Sequence, residues 1–280
     1  MSEGPRRNAR GAERIRPGLP QPAAARLAAL AEGLRPPCDP ATFADPARLA
    51  AIAVADRIRA ETRSGELTEA LAVLVHLRAG LGRLDPAALV TRRGLGGLFD
   101  SKKRRLKAFR ARFAEATRTL SESLDDLQVR ITAMTRRGKV LDGMWNDLRE
   151  AVLDLDAGAA LALHPSGSEA HVQRGHRLAD ARDAALRILP SIRVAQNADA
   201  RALHRLRLVC DALVEWNADW TQALGMKGRK PKNIRPDLTH LATSRETVMS
   251  MVDAAAREAE AARLRRVDED GRMEAARRRI

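Results

Sequence analysis

The sequence predicts an all-α protein: a long antiparallel coiled-coil helical hairpin, a third long C-terminal helix and a small helical N-terminal module. Three observations predict it. Every seventh residue from Leu106 to Ala162 is apolar (Leu106, Phe113, Leu120, Leu127, Met134, Leu141, Leu148, Leu155, Ala162). At 45% hydrophobic residues, nine such hits in one frame arise by chance roughly once in a thousand. A second row follows from Leu124 through Ile131, Trp145, Val152 and Ala159, which makes the pair a coiled-coil seam. The composition agrees: aromatics are 2%, Tyr is absent and charged residues reach 31%. That balance suits long helices burying narrow stripes. Val and Ile are too sparse and too irregularly placed for a sheet.

The elements follow in chain order. Residues 1–46 carry prolines at 5, 17, 20, 22, 36, 37, 40 and 46 and read as a flexible tail, with two helical turns near 27–34. Residues 47–90 read as the short-helix module. Asp45 is expected to cap a helix with Pro46 in its first turn, burying Leu49, Ile52, Ala53, Ala55 and Ile58 and ending at Gly65. A second helix over 66–81 presents Leu67, Leu71, Leu74, Val75 and Leu77, and Asp85-Pro86 caps one further turn. The glycines at 94, 96 and 97 make 91–101 a hinge, with Asp100 or Ser101 as cap of the next helix.

The hairpin spans 102–225. Its first helix contains Gly138 and Gly143, each disfavoured by about 1 kcal/mol against Ala, and a bend is expected at Gly138. Pro165 and Gly167 form the turn, and Ser168 caps the return helix. That helix carries the rows Leu178, Ala185, Ile192, Asp199, Leu206, Leu213, Trp220 and Ala181, Ile188, Ala195, Ala202, Val209, Trp216, Ala223. The phase is the same on both sides of Pro190, so a kink is expected there rather than a break. A basic loop covers 226–237. The C-terminal helix covers 238–280, apolar at first and then so charged that it reads as a solvated or frayed end.

Net charge is +14, and it is localised. Residues 92–112 hold nine basic side chains against Asp100, and 226–235 hold five. An antiparallel hairpin brings both clusters to one pole. Arg92, Arg93, Lys102, Lys103, Arg104, Arg105, Lys107, Lys227, Arg229, Lys230, Lys232 and Arg235 are therefore the candidate docking residues for an anionic partner. That partner is a protein or an anionic membrane surface. Nucleic acid stays open as a partner, but the only aromatics among these basics are Phe99, Phe109 and Phe113, the last two at core spacing, which gives base stacking little support.

No chemistry emerges from the motifs. RGLGGLFDSKK lacks the phosphate-loop spacing and follows no strand. His164, His171 and His176 are not at i,i+4 spacing and have no Cys nearby. Ser166 and Ser168 lie outside any GxSxG pattern. The reading is of a non-enzymatic chain with no cofactor and no metal, its oligomeric state open. Two cysteines at unrelated positions, no spanning apolar run and no secretory pattern predict a soluble cytoplasmic protein, with membrane association at the surface as an extension.

One stretch is more specific. The run ILPSIRVAQNADARALHRLRLVCDALVEWNADWTQALGMKG contains Leu189, Pro190, Ile192, Arg193, Gln196, Trp216 or Trp220, Ala223, Leu224 and Gly225 in the pattern LP-x-IR-x-x-Q … W … ALG. It resembles the TelA family, the tellurite or toxic-anion resistance proteins. The step Leu84-Asp85-Pro86 and the hinge leading into a basic long helix are similar to the family too, so that the likeness covers about 49–280. The resemblance implies an all-helical cytoplasmic protein linked to survival of toxic anions or envelope stress. It carries over no catalytic residues.

Overall fold

A computed structural model describes residues 22–34, 39–90, 101–164, 168–227 and 235–280. Six α-helices are found there and no strand: α1 (Ala24–Ala31), α2 (Asp45–Thr62), α3 (Glu66–Gly82), α4 (Lys102–Ala162), α5 (Glu169–Ala223) and α6 (Leu238–Arg277). Two 3₁₀ turns, Glu32–Leu34 and Pro86–Leu89, complete the described elements. The all-α fold class and the long α4–α5 hairpin are thus as the heptads predict. The hinge residues 91–100 and the turn residues 165–167 lie outside the described residues.

The chain divides into two compact units, and each long helix contributes a stretch to both. The first unit takes residues up to 63, 139–196 and 266–280, and the second takes 64–138 and 197–265. The two short helices, read from the sequence as one module, fall into different units: α2 in the first and α3 in the second.

The first unit is built on α2 and the adjoining halves of α4, α5 and α6. Leu141, Leu148, Leu155 and Ala162 of the first heptad row are buried, and so are Leu178, Ala185 and Ile192 opposite them. The strands of the hairpin run antiparallel here, with Arg182 bonded to Asp156 at 2.8 Å and Arg193 to Asp142. Arg182 and Asp156 are both sealed from solvent, a geometry in which the charges must stay together because either one alone is costly.

Several local expectations are corrected in this unit. Asp45 is the first helical residue of α2 and not its cap; Ala44 precedes it in the left-handed region at φ 55°. The Asp45 carboxylate instead accepts from Arg174 at 2.7 Å and Arg48 at 3.1 Å. Arg174 also donates to the Phe43 carbonyl at 2.8 Å, which locks this turn onto α5. The buried stripe of α2 is Ala47, Ala51, Val54, Ala55 and Ile58, while Leu49 is exposed. Small residues set the stripe, because the helix lies close against its neighbours. The tail is not wholly loose: α1 is held by Arg26, which bonds to Asp154 at 2.8 Å and to Glu150.

The charged end of α6 is not frayed: local pairs such as Arg272–Glu269 and Arg278–Glu274 support it, as a solvated helix would have, but it also packs on its neighbours. Met273, Ala276 and Ile280 are buried, and Asp270 and Glu274 face Arg59 of α2 while Arg277 grips Asp56. These charges are cross-helix partners.

In the second unit α3 packs on α4, with Glu69 paired to Arg130 at 2.7 Å and Glu66 to the buried Arg137. Burial works against a charged Glu66, but the Ser64 hydroxyl and Arg137 outweigh it and hold its carboxyl below the usual range. Val75, assigned from the sequence to the apolar face, is exposed; Ala70, Val73 and Leu81 take that role. Asp85 caps its turn as expected, accepting from the Ala87 amide at 2.9 Å.

Pro190 sits inside an unbroken α5, on the exposed side of the helix. α4 likewise runs without interruption through Gly138 and Gly143.

Candidate anionic docking site

The site grows from the end of the hairpin in the second unit. Ser101 caps α4: its hydroxyl accepts from the Arg104 amide at 3.2 Å, and its carbonyl from the Arg104 and Arg105 amides at 2.9 and 3.1 Å. The first turn that follows holds Lys102, Lys103 and Arg104 and no acidic residue. Carboxylates are the favoured charge at a helix N-terminus, so this turn opposes the helix dipole.

Deeper packing fixes the pole. Phe109 and Phe113 of α4 meet Trp216 and Trp220 of α5, with ring centroids 6.0 Å (Phe109–Trp220), 5.7 Å (Phe113–Trp216) and 5.6 Å (Phe113–Trp220) apart. The two Trp rings stand 4.7 Å from each other, and the Trp220 indole donates to Ser244 of α6 at 2.8 Å. All four rings are buried.

The end of α5 is closed by Gly225, at φ 61°. The Gly225 amide returns to the Gln222 carbonyl at 2.8 Å and the Met226 amide to Thr221 at 2.9 Å. These are the two bonds of a Schellman cap, which needs a left-handed residue at that point. The orphan Leu224 carbonyl is taken by Arg110 Nε at 2.7 Å. The start of α4 and the end of α5 are thereby pinned together. Asp237 then caps α6, accepting from the Thr239 and His240 amides at 2.9 and 3.1 Å.

The cations at this pole are grouped. Lys102, Lys103, Arg104 and Lys107 are exposed, and so are Arg112, Lys227 and Arg235. Among the described residues no ion pair involves any of these seven. Arg105 is half-buried and engaged within the fold. The nearby acids are engaged elsewhere: Asp219 faces His240 at 2.8 Å and Asp237 serves as a cap. Along the rest of the chain arginine is mostly paired, as with Arg26, Arg59, Arg78, Arg130, Arg182, Arg201 and Arg277. Of the sequence-predicted docking residues, Arg92, Arg93, Arg229, Lys230 and Lys232 lie outside the described residues.

The motif residues that carried the resemblance have local structural roles. Ile192, Trp216 and Leu224 are core, and Gly225 is the cap of α5. Arg193 and Gln196 gather in the first unit with Asp142, which sequence reasoning passed over, and with Trp145, which it assigned to the seam. Arg193 bonds to Asp142 and to Gln196 Oε1 (2.7 Å), and its guanidinium lies 4.7 Å from the Trp145 ring centroid. Gln196 also donates to Asp142 at 3.1 Å. The Arg193 and Gln196 bonds hold the Asp142 carboxyl below its usual range. The i,i+3 spacing of Asp142 and Trp145 and their heptad level opposite Arg193 were the available signal.

Among the described residues no helix is long and apolar enough to cross a membrane, and no group of three or more His, Cys, Asp and Glu is placed to hold a metal ion. No family model, curated protein or solved structure matches the chain.

Proposed function

We propose that this protein is a non-enzymatic helical scaffold of the stress-response kind that the TelA proteins represent, acting through its helical surfaces, with its basic pole docking an anionic partner. One observation carries the docking role: seven lysines and arginines gather exposed at one pole with no ion pair among the described residues, three of them in a helix turn where they oppose the dipole. Residues that weaken the fold locally and touch nothing are best understood by what they bind.

The link to toxic-anion resistance rests on the resemblance of residues 189–225 and on nothing further. The internal aromatic cluster favours a surface of anionic charge over single-stranded nucleic acid, since among the described residues no ring at the pole is free to stack on a base. Against an anionic membrane each exposed Lys or Arg contributes roughly 1 kcal/mol near the surface, so seven suffice for salt-sensitive binding without insertion.

Flotation with vesicles of phosphatidylglycerol and phosphatidylcholine, against phosphatidylcholine alone, tests the docking role, and retention on a heparin column tests it independently of lipid. The expected result is anionic-selective binding, lost on combined charge reversal of Lys102, Arg104, Lys107 and Lys227. Equal behaviour of wild type and variant on both supports refutes it. The resistance role is tested by deleting the gene and challenging cells with tellurite, where unchanged sensitivity counts against it.

A further inference from the structure

A groove between α4 and α5 in the second unit has a chemistry that the scaffold does not use. It encloses about 150 Å³ and is walled by Leu120 and Leu124 of α4 and Leu213 of α5, with Ser121 at its exposed rim. Thr117, Val214 and the consecutive Trp216 and Asn217 complete the lining. Trp216 is only 3% exposed. Its indole N–H and the Asn217 side-chain oxygen are both buried, and neither has a hydrogen-bond partner among the described residues. The contrast with Trp220 is informative, because there the indole N–H is taken by Ser244. Buried polar groups in folded proteins nearly always find a partner, so a neighbouring donor and acceptor left open on one cavity wall call for one.

We infer that this groove binds a small uncharged hydroxyl compound with a compact apolar body, of about the size of phenol. One hydroxyl answers both atoms: its oxygen accepts from the Trp216 N–H and its hydrogen is donated to Asn217. The leucine walls suit an apolar body. An apolar cavity of about this volume takes a benzene-sized molecule, and one water occupies only about 30 Å³. The site is separate from the basic pole and does not depend on its role.

Phenol is the probe, titrated into the full chain labelled with ¹⁵N. The three tryptophans give three indole N–H signals, that of Trp216 being the one lost in Trp216→Phe. The expected result is a saturable shift of the Trp216 signal with a dissociation constant on the order of 1 mM, as ligands of this size reach, and none at Trp145, which belongs to the other unit. Equilibrium dialysis gives the affinities of the variants. Trp216→Phe keeps the ring and is expected to weaken binding about five- to tenfold, the loss of one hydrogen bond. Ser121→Phe fills the mouth from an exposed helix position and is expected to abolish binding with the helical circular dichroism unchanged. Benzene, lacking the hydroxyl, is expected to bind at least fivefold more weakly than phenol on the same estimate. The inference is overturned if no saturable shift appears, in which case the groove holds water only. Undiminished binding in Ser121→Phe, or benzene binding as well as phenol, overturns it too.

Discussion

Replacing Lys102, Lys103 and Arg104 by glutamate is expected to make the protein more stable while removing its affinity for anions. These are the first three residues of α4, directly after its cap Ser101. As cations they face the positive end of the helix dipole, and they repel one another. As glutamates they reverse the sign of that term, each contributing about 0.3–1 kcal/mol at low ionic strength. Glutamate at position 104 gains more, because Ser101 already accepts from the amide of residue 104. A carboxylate there can reach back to the Ser101 amide and complete a capping box. The favourable terms sum to about 1–3 kcal/mol, before counting the repulsion removed.

Urea unfolding followed by circular dichroism measures this directly. The gain is expected at low salt and to shrink at about 0.5 M salt, where the Debye length has fallen well below its ~10 Å at 0.1 M. The same variant is expected to lose retention on heparin and on anionic vesicles. A triple variant less stable than the wild type at low salt refutes the reasoning, for it would mean that these cations serve the fold. A stabilised variant that binds anions as before leaves the electrostatics standing and removes the docking role.

Four further outcomes follow from the packing. Gly175→Ala places a methyl group 2.6 Å from Leu163 Cγ and 3.2 Å from Ala162 Cβ, and is expected to destabilise the protein by about 1–3 kcal/mol in urea, whereas an unchanged midpoint removes the close approach. Gly143→Ala meets no atom within 4 Å outside its own helix and is expected to stabilise α4 by about 1 kcal/mol, read as a raised Tm. Cys210 is more than half-buried, and burial, aided by Asp211, pushes its thiol up to about 11. In a Cys38→Ser background its labelling by a disulfide reagent at about pH 8 is expected to be slow and to speed up about tenfold per pH unit, since only the thiolate reacts. The Arg174 bond, followed by that of Arg48, holds the Asp45 carboxyl below its usual range. A depressed carboxylate stabilises above the ordinary range and loses that contribution as pH falls through its folded value. Arg174→Gln is therefore expected to flatten the acid limb of the stability curve, and an unaltered limb refutes the pairing.

The heptad ladder was legible because its signal is large side chains at a fixed period, and eight of its nine members are buried, Leu106 being half-exposed. The short helices were less legible for the converse reason. In α2 the buried stripe is mostly alanine, so the sequence reading placed Ala55 and Ile58 correctly but took in the exposed Leu49 and Ala53 and missed Ala47, Ala51 and Val54. In α3 apolar residues cover more than one face, and Val75 had no pattern to mark it as the outward one. The division into two units leaves no mark in the periodicity, since α4 continues through Gly138 in an unbroken helix. What separates the units is which short helix packs where, and that is decided by contacts far apart in sequence, such as Arg59 with Asp270 and Arg130 with Glu69.

Arginine shows the same limit most sharply. In the last third of α6 it reads as solvated charge, yet Arg277 reaches Asp56 and Asp270 receives Arg59 and Arg63. At the start of α4, Lys102, Lys103, Arg104 and Lys107 form no ion pair among the described residues. Composition cannot tell these apart, because a paired and an unpaired cation count alike in a net charge of +14. The clusters at 92–112 and 226–235 were distinguishable only by their lack of interleaved acids, which is the property that a partner must supply. Where a chain carries its own counter-charges it is holding itself together. Where it omits them, as at the first turn of α4 whose dipole favours carboxylates, the proposed anionic partner would supply the missing charge.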